Sequence, residues 1–165
     1  VIGNPIPDMT IGANLNLNYK NFDFATSVYA SIGNYVSRSY ERFLTYSNKP
    51  ALYLDRWVGE GTSNTVPRAT TTSTGNTLFS DFYVEDASYL RIQNIQLGYS
   101  LPNEVLEKLQ IDKFRLYIAV NNLYTFTTYS GYNPDVSNAS PLGAGVDLGQ
   151  YPQTRTFTTG VNISF

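Results

Sequence analysis

The sequence predicts an all-β chain whose strands form part of a transmembrane, antiparallel, up-and-down β-barrel. Apolar and polar side chains alternate over five stretches of about ten residues, which is typical of strands with two different faces. Only 15% of the residues are charged and another 15% are aromatic, whereas about 25% of an ordinary soluble domain is charged. Short and long connections alternate between the stretches, as they do in outer-membrane barrels.

The first two stretches predict a β-hairpin. Residues 9–20 carry apolar side chains at odd positions and mostly polar side chains at even positions. Residues 22–32 continue the alternation, with Phe22, Phe24 and Val28 on one face. Because only Lys20 and Asn21 connect the two patterns, we expect a tight turn between antiparallel strands.

Three further strands are predicted in the second half of the chain. Residues 89–101 alternate, but the phase slips at Gln93-Asn94, which indicates a β-bulge. The following stretch, in which Asn103 precedes residues 104–109, predicts a short capped helix. Residues 113–126 and 154–165 complete the set. All five strands are close to the ~9–11 residues that cross a bilayer as a tilted strand.

The two long connections, residues 33–88 and 127–153, would be unusual in a compact soluble domain. If the chain ends in the periplasm, up-and-down connectivity makes both of them extracellular loops and puts the short connections on the opposite side. Five strands cannot close a barrel, so we expect the first and the last to pair with strands outside this sequence. Since the sequence starts without an initiator Met, we interpret Val1 as the first residue of a fragment.

Composition argues against several classes of function. A net charge of -2 provides no basic field for nucleic acid. The sequence contains neither Cys nor His, which removes thiol and imidazole chemistry and the usual zinc ligands. A glycoside hydrolase needs two carboxylates in one cleft, yet Asp23 is the only acid within a strand pattern. We therefore expect no enzymatic activity, no cofactor and no metal site.

Alternation alone fits two kinds of protein. A secreted all-β carbohydrate-binding module would bury the apolar face of each strand in a core and expose the polar face to water. A membrane barrel does the reverse, with the apolar face toward lipid and the polar face toward the lumen. Both hypotheses stay open on this criterion.

Six segments resemble the late-barrel region of the SusC-like TonB-dependent outer-membrane transporters, the RagA/SusC family. The longest is EDASYLRIQNIQLGYSLP at residues 85–102. The others are Asp55-Arg56-Trp57, the helical stretch 102–109, NLYTFT at 122–127, GYNPDV at 131–136 and YPQTRTF at 151–157.

The resemblance implies that the chain supplies the last five strands of a plugged barrel of about 22 strands. It also implies a location in the outer membrane of a Gram-negative cell, where such transporters import oligosaccharides or peptides. A SusD-like surface lipoprotein would cap the barrel. The TonB complex would energise transport through an N-terminal region that lies outside this chain.

Three groups of candidate contact residues follow, and for each group the alternative is a purely structural role. On the polar face, the candidate contacts to solute or lumen are Asn14, Asn16, Asn18, Arg91, Gln93 and Asn121. In the long loops, the aromatic candidates for stacking on a solute or on the lipoprotein are Tyr40, Trp57, Tyr129 and Tyr132. The terminal Phe165 is a candidate signal for the outer-membrane assembly machinery, because barrels of this class commonly end in an aromatic residue.

Overall fold

The computed structural model describes residues 2–40, 50–70, 75–136 and 141–165. Within these residues the chain forms eight strands, which are β1 (Met9–Tyr19), β2 (Phe22–Ile32), β3 (Tyr35–Arg38), β4 (Val84–Asp86), β5 (Tyr89–Ser100), β6 (Lys113–Thr127), β7 (Val146–Asp147) and β8 (Thr156–Ser164). Five of them form a large sheet in the order β1-β2-β5-β6-β8. The other three form a small sheet in the order β4-β3-β7.

The large sheet is antiparallel throughout and has up-and-down topology. Its five strands begin and end within two residues of the bounds expected from the alternation. Strands β1 and β8 form its edges, and neither has a second partner strand in the described part of the chain. The fold class expected from the sequence, a segment of antiparallel barrel wall with open edges, is confirmed.

Two register shifts lie side by side in the middle of the large sheet. Between Ser27 and Val28, β2 advances by one residue while its partner β5 advances by two, from Asn94 to Ile92. Over the same interval β6 advances by three residues, and one of them, Asn122, adopts the left-handed conformation with a φ of 52°. The slip expected at Gln93 is therefore a β-bulge, and β6 carries a second one. Bulges increase the local twist of a sheet, which helps a wall to curve.

The register collects the apolar side chains of all five strands on one side, which we call the apolar face. Leu17, Phe24, Leu97 and Ile118 form one row across four strands. Leu17 is 53% exposed and Ile118 55% exposed, because no element of the described residues covers this face. A sandwich module would bury such residues in a core.

Aromatic residues mark both ends of the apolar face. At one end, Phe22 lies between Tyr19 and Tyr99 in the register, and the Phe22 and Tyr99 ring centroids are 4.8 Å apart. At the other end, the Tyr124 and Phe126 ring centroids are 4.7 Å apart. Counted along β2, which pairs with β1 without a register shift, eight residues separate Phe22 from Ala30, which lies in the row of Leu90 and Phe126. A tilt of about 45° converts this to roughly 19 Å, which is of the same order as the apolar band of about 25 Å on outer-membrane barrels.

The first aromatic level coincides with the short connections, and we call this the short-turn end. Lys20 has a φ of 53° in the turn between β1 and β2. The connection after β5 contains the helix α1 (Asn103–Leu109), with Pro102 at its N-cap and no side-chain cap. Asn103 is thus the first helical residue and does not act as the cap we expected. Among the described residues, no helix is long and apolar enough to cross a membrane.

The small sheet, which we call the loop sheet, lies at the opposite, long-loop end. Strand β3 pairs with β4 inside the first long connection and runs parallel to β7 of the second. Val36, Ala87 and Tyr129 form its buried core, and Val136 packs against them. Both long connections therefore lie at the same end of the large sheet. The loop sheet was not expected, because strands of two to four residues show no readable period.

Candidate functional site

Neutral hydrogen-bonding side chains occupy the centre of the second side of the large sheet, which we call the polar face. One row across the five strands consists of Asn14, Ser27, Asn94, Asn121 and Thr156. The next row consists of Asn16, Ala25, Gln96, Ala119 and Thr158. Neither row contains a charged residue, and the Asn94 amide donates to the Asn121 side-chain oxygen at 2.7 Å. Amides and hydroxyls both donate and accept hydrogen bonds, so these rows suit a solute rich in the same groups.

A charged pair bounds the neutral rows toward the short-turn end. Arg115 in β6 reaches across β5 to Asp23 in β2, and its Nε donates to the Asp23 carboxylate at 2.9 Å. Gly98 lies between them, and a side chain there would collide with both partners. The Arg115 guanidinium also lies 5.2 Å from the centroid of the Tyr117 ring. Each charge is neutralised within the wall, so the pair offers a solute a fixed dipole and little net charge.

Arg91 bounds the neutral rows toward the long-loop end, where it is only 4% exposed. Its Nε donates to Thr125 at 3.0 Å, and its two terminal nitrogens donate to Asn133 at 2.9 Å and to Asp135 at 3.1 Å. The guanidinium also lies 4.7 Å from the centroid of the Tyr89 ring. Arg91 was expected to contact solute, but the structure places it against the protein's own loop.

Asn133 and Asp135 belong to a turn of residues 131–136, which we call the strap. Just before it, the Ser130 amide and hydroxyl both donate to the Glu85 carboxylate at 2.9 Å. Glu85 in turn pairs with the buried Arg38 of β3 at 2.8 Å. The strap is therefore connected to the loop sheet as well as to β5.

Tyr129 and Asp147 form a buried link within the second long connection. The Tyr129 hydroxyl donates to Asp147 at 2.7 Å, and the amides of Gly149 and Gln150 donate to the other carboxylate oxygen at 2.7 and 3.2 Å. Burial, together with the hydrogen bond to Asp147, raises the pKa of the Tyr129 hydroxyl above its usual range. The hydroxyl thus stays protonated and keeps its role as a donor.

The remaining candidate residues differ in accessibility. Asn14, Asn16 and Asn18 line β1 on the polar face and are exposed, as are Gln93 and Asn121. Among the loop aromatics, Tyr132 is 72% exposed, Trp57 is 38% exposed, Tyr40 is half-buried and Tyr129 is buried. Phe165 is exposed, one residue after the end of β8. The contact roles of all these residues stay predictions.

Two features of this surface were missed from the sequence. The Asp23–Arg115 pair could have been found, because both residues fall on the polar parity of their strands and Asp23 is the only acid in the five long strands. The partners Asn133, Asp135 and Asp147 gave no such signal, because they lie in a turn and in a two-residue strand.

No protein-family model matches the chain, but its sequence is similar to those of TonB-dependent receptors. The chain is 37% identical to TonB-dependent receptor P3 of Formosa agariphila, over 100% of this chain and 17% of that receptor. It is 35% identical to TonB-dependent receptor SusC of Bacteroides thetaiotaomicron, over 98% of this chain and 15% of SusC.

Solved structures of the RagAB peptide importer share the fold. The chain matches the "open-open" state with a TM-score of 0.75 and 26% identity, over 96% of this chain and 17% of the importer chain. It matches the "closed-closed" state with a TM-score of 0.77 and 25% identity, over 100% of this chain and 18% of the importer chain. The chain therefore spans less than a fifth of the length of the proteins it resembles.

Proposed function

We propose that the chain, a homologue of one segment of the SusC-like TonB-dependent receptors, forms part of the wall of an outer-membrane nutrient importer. Like those receptors, it is a β-barrel segment of the Gram-negative outer membrane. The imported solute is an oligosaccharide or a peptide. A SusD-like lipoprotein acts at the long-loop end, and TonB supplies the energy.

One observation carries this proposal, namely the pairing of an uncovered apolar face with a neutral polar face on one sheet. The apolar face is bounded by aromatic residues about 19 Å apart, which is of the order of the apolar band of a bilayer. The polar face presents amides and hydroxyls, which suit a hydrated lumen. The open edges of β1 and β8 need further strands, because an unpaired edge in lipid leaves backbone groups without partners.

The neutral rows favour an oligosaccharide or a peptide over a highly charged solute. Two consecutive rows across five strands contain no charge, and the Asp23–Arg115 pair below them is internally balanced. A polymer with many hydroxyl or amide groups could exchange hydrogen bonds along such a wall. The names of the relatives support the same class, since one of them is a peptide importer.

A secreted carbohydrate-binding module is the alternative, and the exposure of the apolar face argues against it. In water, rows such as Leu17 and Ile118 would need a second layer, because large uncovered apolar patches are rare on soluble monomers.

The facing of the sheet can be tested with two neighbouring residues of β8. Phe157 lies on the apolar face between the two aromatic levels, opposite Val120, whereas Thr158 lies on the polar face, opposite Ala119. In the intact protein, Phe157→Arg should cost roughly 2–4 kcal/mol, because the guanidinium would lie near the bilayer midplane. Thr158→Arg should be tolerated, because its side chain would face the lumen.

The measurement is the yield of heat-modifiable barrel in outer-membrane fractions of cells that express each variant. Thr158 is a suitable control, because the residue opposite it, Ala119, carries no charge that would repel an arginine. Equal yields of the two variants, or a greater loss for Thr158→Arg, would contradict the proposed facing.

A further inference from the structure

The strap folds back over the polar face instead of continuing outward from the sheet. Strand β6 ends at Thr127, which lies opposite Tyr89 in β5. Arg91 lies two residues further into the sheet than Tyr89, yet it binds Asn133 and Asp135 of the strap. The chain therefore reverses direction after β6 and crosses the side of the sheet that bears Arg91.

The strap is held on both flanks as well as in the middle. On the N-terminal flank, Tyr129 is buried in the core of the loop sheet and Ser130 is bound twice by Glu85. On the C-terminal flank, Val136 packs against the same core. In the middle, Asn133 is 9% exposed and donates from its side chain to the Asp135 carbonyl at 3.1 Å. Contacts of this density give a segment that stays in place rather than one that swings.

We propose that the strap is a fixed rim that restricts the access of bulky solutes to the neutral rows of the polar face, and that Arg91 is its positioning residue. This inference rests on the proposed barrel, because only a closed wall makes the polar face an enclosed path. The strap would select solutes by size at this part of the long-loop end. Small hydrophilic molecules pass the rim, whereas bulky ones reach the neutral rows only when the rim is displaced.

Cysteine labelling in the full-length protein tests the proposal, and this segment contributes no cysteine of its own to the background. The reporter is Asn121→Cys, an exposed position in the row below Arg91, and the parent without an added cysteine is the blank. Two reagents are applied to whole cells, a small trimethylammonium methanethiosulfonate and a polyethylene glycol-bearing maleimide. Arg91→Met then removes the guanidinium but keeps a long side chain.

We expect the small reagent to label Asn121→Cys at the same rate with and without Arg91→Met. The polymer reagent should label it about tenfold faster in the Arg91→Met background, because hydrogen bonds to a charged group that hold the strap are lost. Arg91→Lys should lie between the two. Equal polymer labelling in both backgrounds would overturn the proposal, as would failure of the small reagent to reach the reporter.

Two controls separate this proposal from the proposed function. Tyr132→Cys, on the exposed side of the strap, should react with both reagents in every background. Ile118→Cys, on the apolar face, should react with neither; rapid labelling there would show that the facing itself is wrong. If Arg91→Met lowers the amount of folded barrel, the double variant Asn133→Ala/Asp135→Ala releases the strap from its own side and should give the same increase in polymer labelling.

Discussion

The buried Asp147 shows how much a single loop residue can contribute to the long-loop end. Its carboxylate accepts hydrogen bonds from one side chain and two backbone amides. It is 2% exposed, so any donor that is removed leaves charge in a poorly solvated place. The residue therefore fixes the backbone of β7 and the segment that follows it.

Tyr129→Phe should destabilise this region by about 1.5–3 kcal/mol, because a hydrogen bond to a buried charge is lost while the ring packing remains. Hydrogen exchange of the intact protein, followed by mass spectrometry, should show faster exchange in peptides that cover residues 146–150. Tyr132→Phe is the matched control, since the Tyr132 side chain is 72% exposed. Unchanged exchange in Tyr129→Phe would refute the role of the hydroxyl.

Two of the candidate contact residues show why residue roles are hard to assign from sequence. Arg91 and Tyr129 have the residue types that favour solute contact, but both are buried by partners in the second long connection, 42 positions away for Arg91 and 18 for Tyr129. These partners lie in a turn and in a two-residue strand, neither of which shows a periodic signal. Exposure on the polar face could be predicted only where the strand is not covered by a loop, as for Asn14 and Asn16.

At the scale of elements, the five long strands were predictable because their period of two extends over nine or more residues. The bulge in β5 was also visible, since it changes the parity of the apolar positions. The bulge in β6 was not, because Val120, Tyr124 and Phe126 keep the same parity through it. The strands of the loop sheet are too short for any periodic signal, and only tertiary pairing defines them.

The β6 bulge leads to a prediction at Asn122. A left-handed conformation costs roughly 1–2 kcal/mol for a side chain that cannot bond locally, whereas Asn and Gly adopt it readily. Asn122→Val should therefore lower the temperature at which the barrel loses its heat-modifiable mobility, and Asn122→Gly should lower it less. The Asn122 amide also donates to the Thr154 carbonyl at 3.1 Å, which Gly cannot replace. An Asn122→Val barrel as stable as the parent would contradict this account.

At the scale of the whole molecule, the two ends of the sheet differ in construction. The short-turn end has a two-residue turn and α1, whereas the long-loop end carries the loop sheet and the strap. An external partner needs accessible side chains on an ordered base, and the long-loop end provides both.

Site-specific photo-crosslinking in intact cells tests whether the proposed lipoprotein binds at the long-loop end. A photoreactive residue at Tyr132 or Leu142, which are 72% and 99% exposed, should capture a SusD-like protein. The same residue at Leu109 of α1, 54% exposed at the short-turn end, is the control and should not. Capture of the lipoprotein from Leu109 alone would place the partner at the short-turn end and contradict the prediction.

The parallel pairing of β3 with β7 also has a consequence for the order of folding. Ser37 and Val146 are neighbours in the loop sheet although more than a hundred positions separate them along the chain. Contacts between such distant positions carry a large loop-closure entropy and form slowly unless intervening structure brings the ends together. Pairing of β5 with β6 shortens this separation, because it brings the two long connections together. We therefore expect β7 to join β3 only after that part of the wall has been assembled.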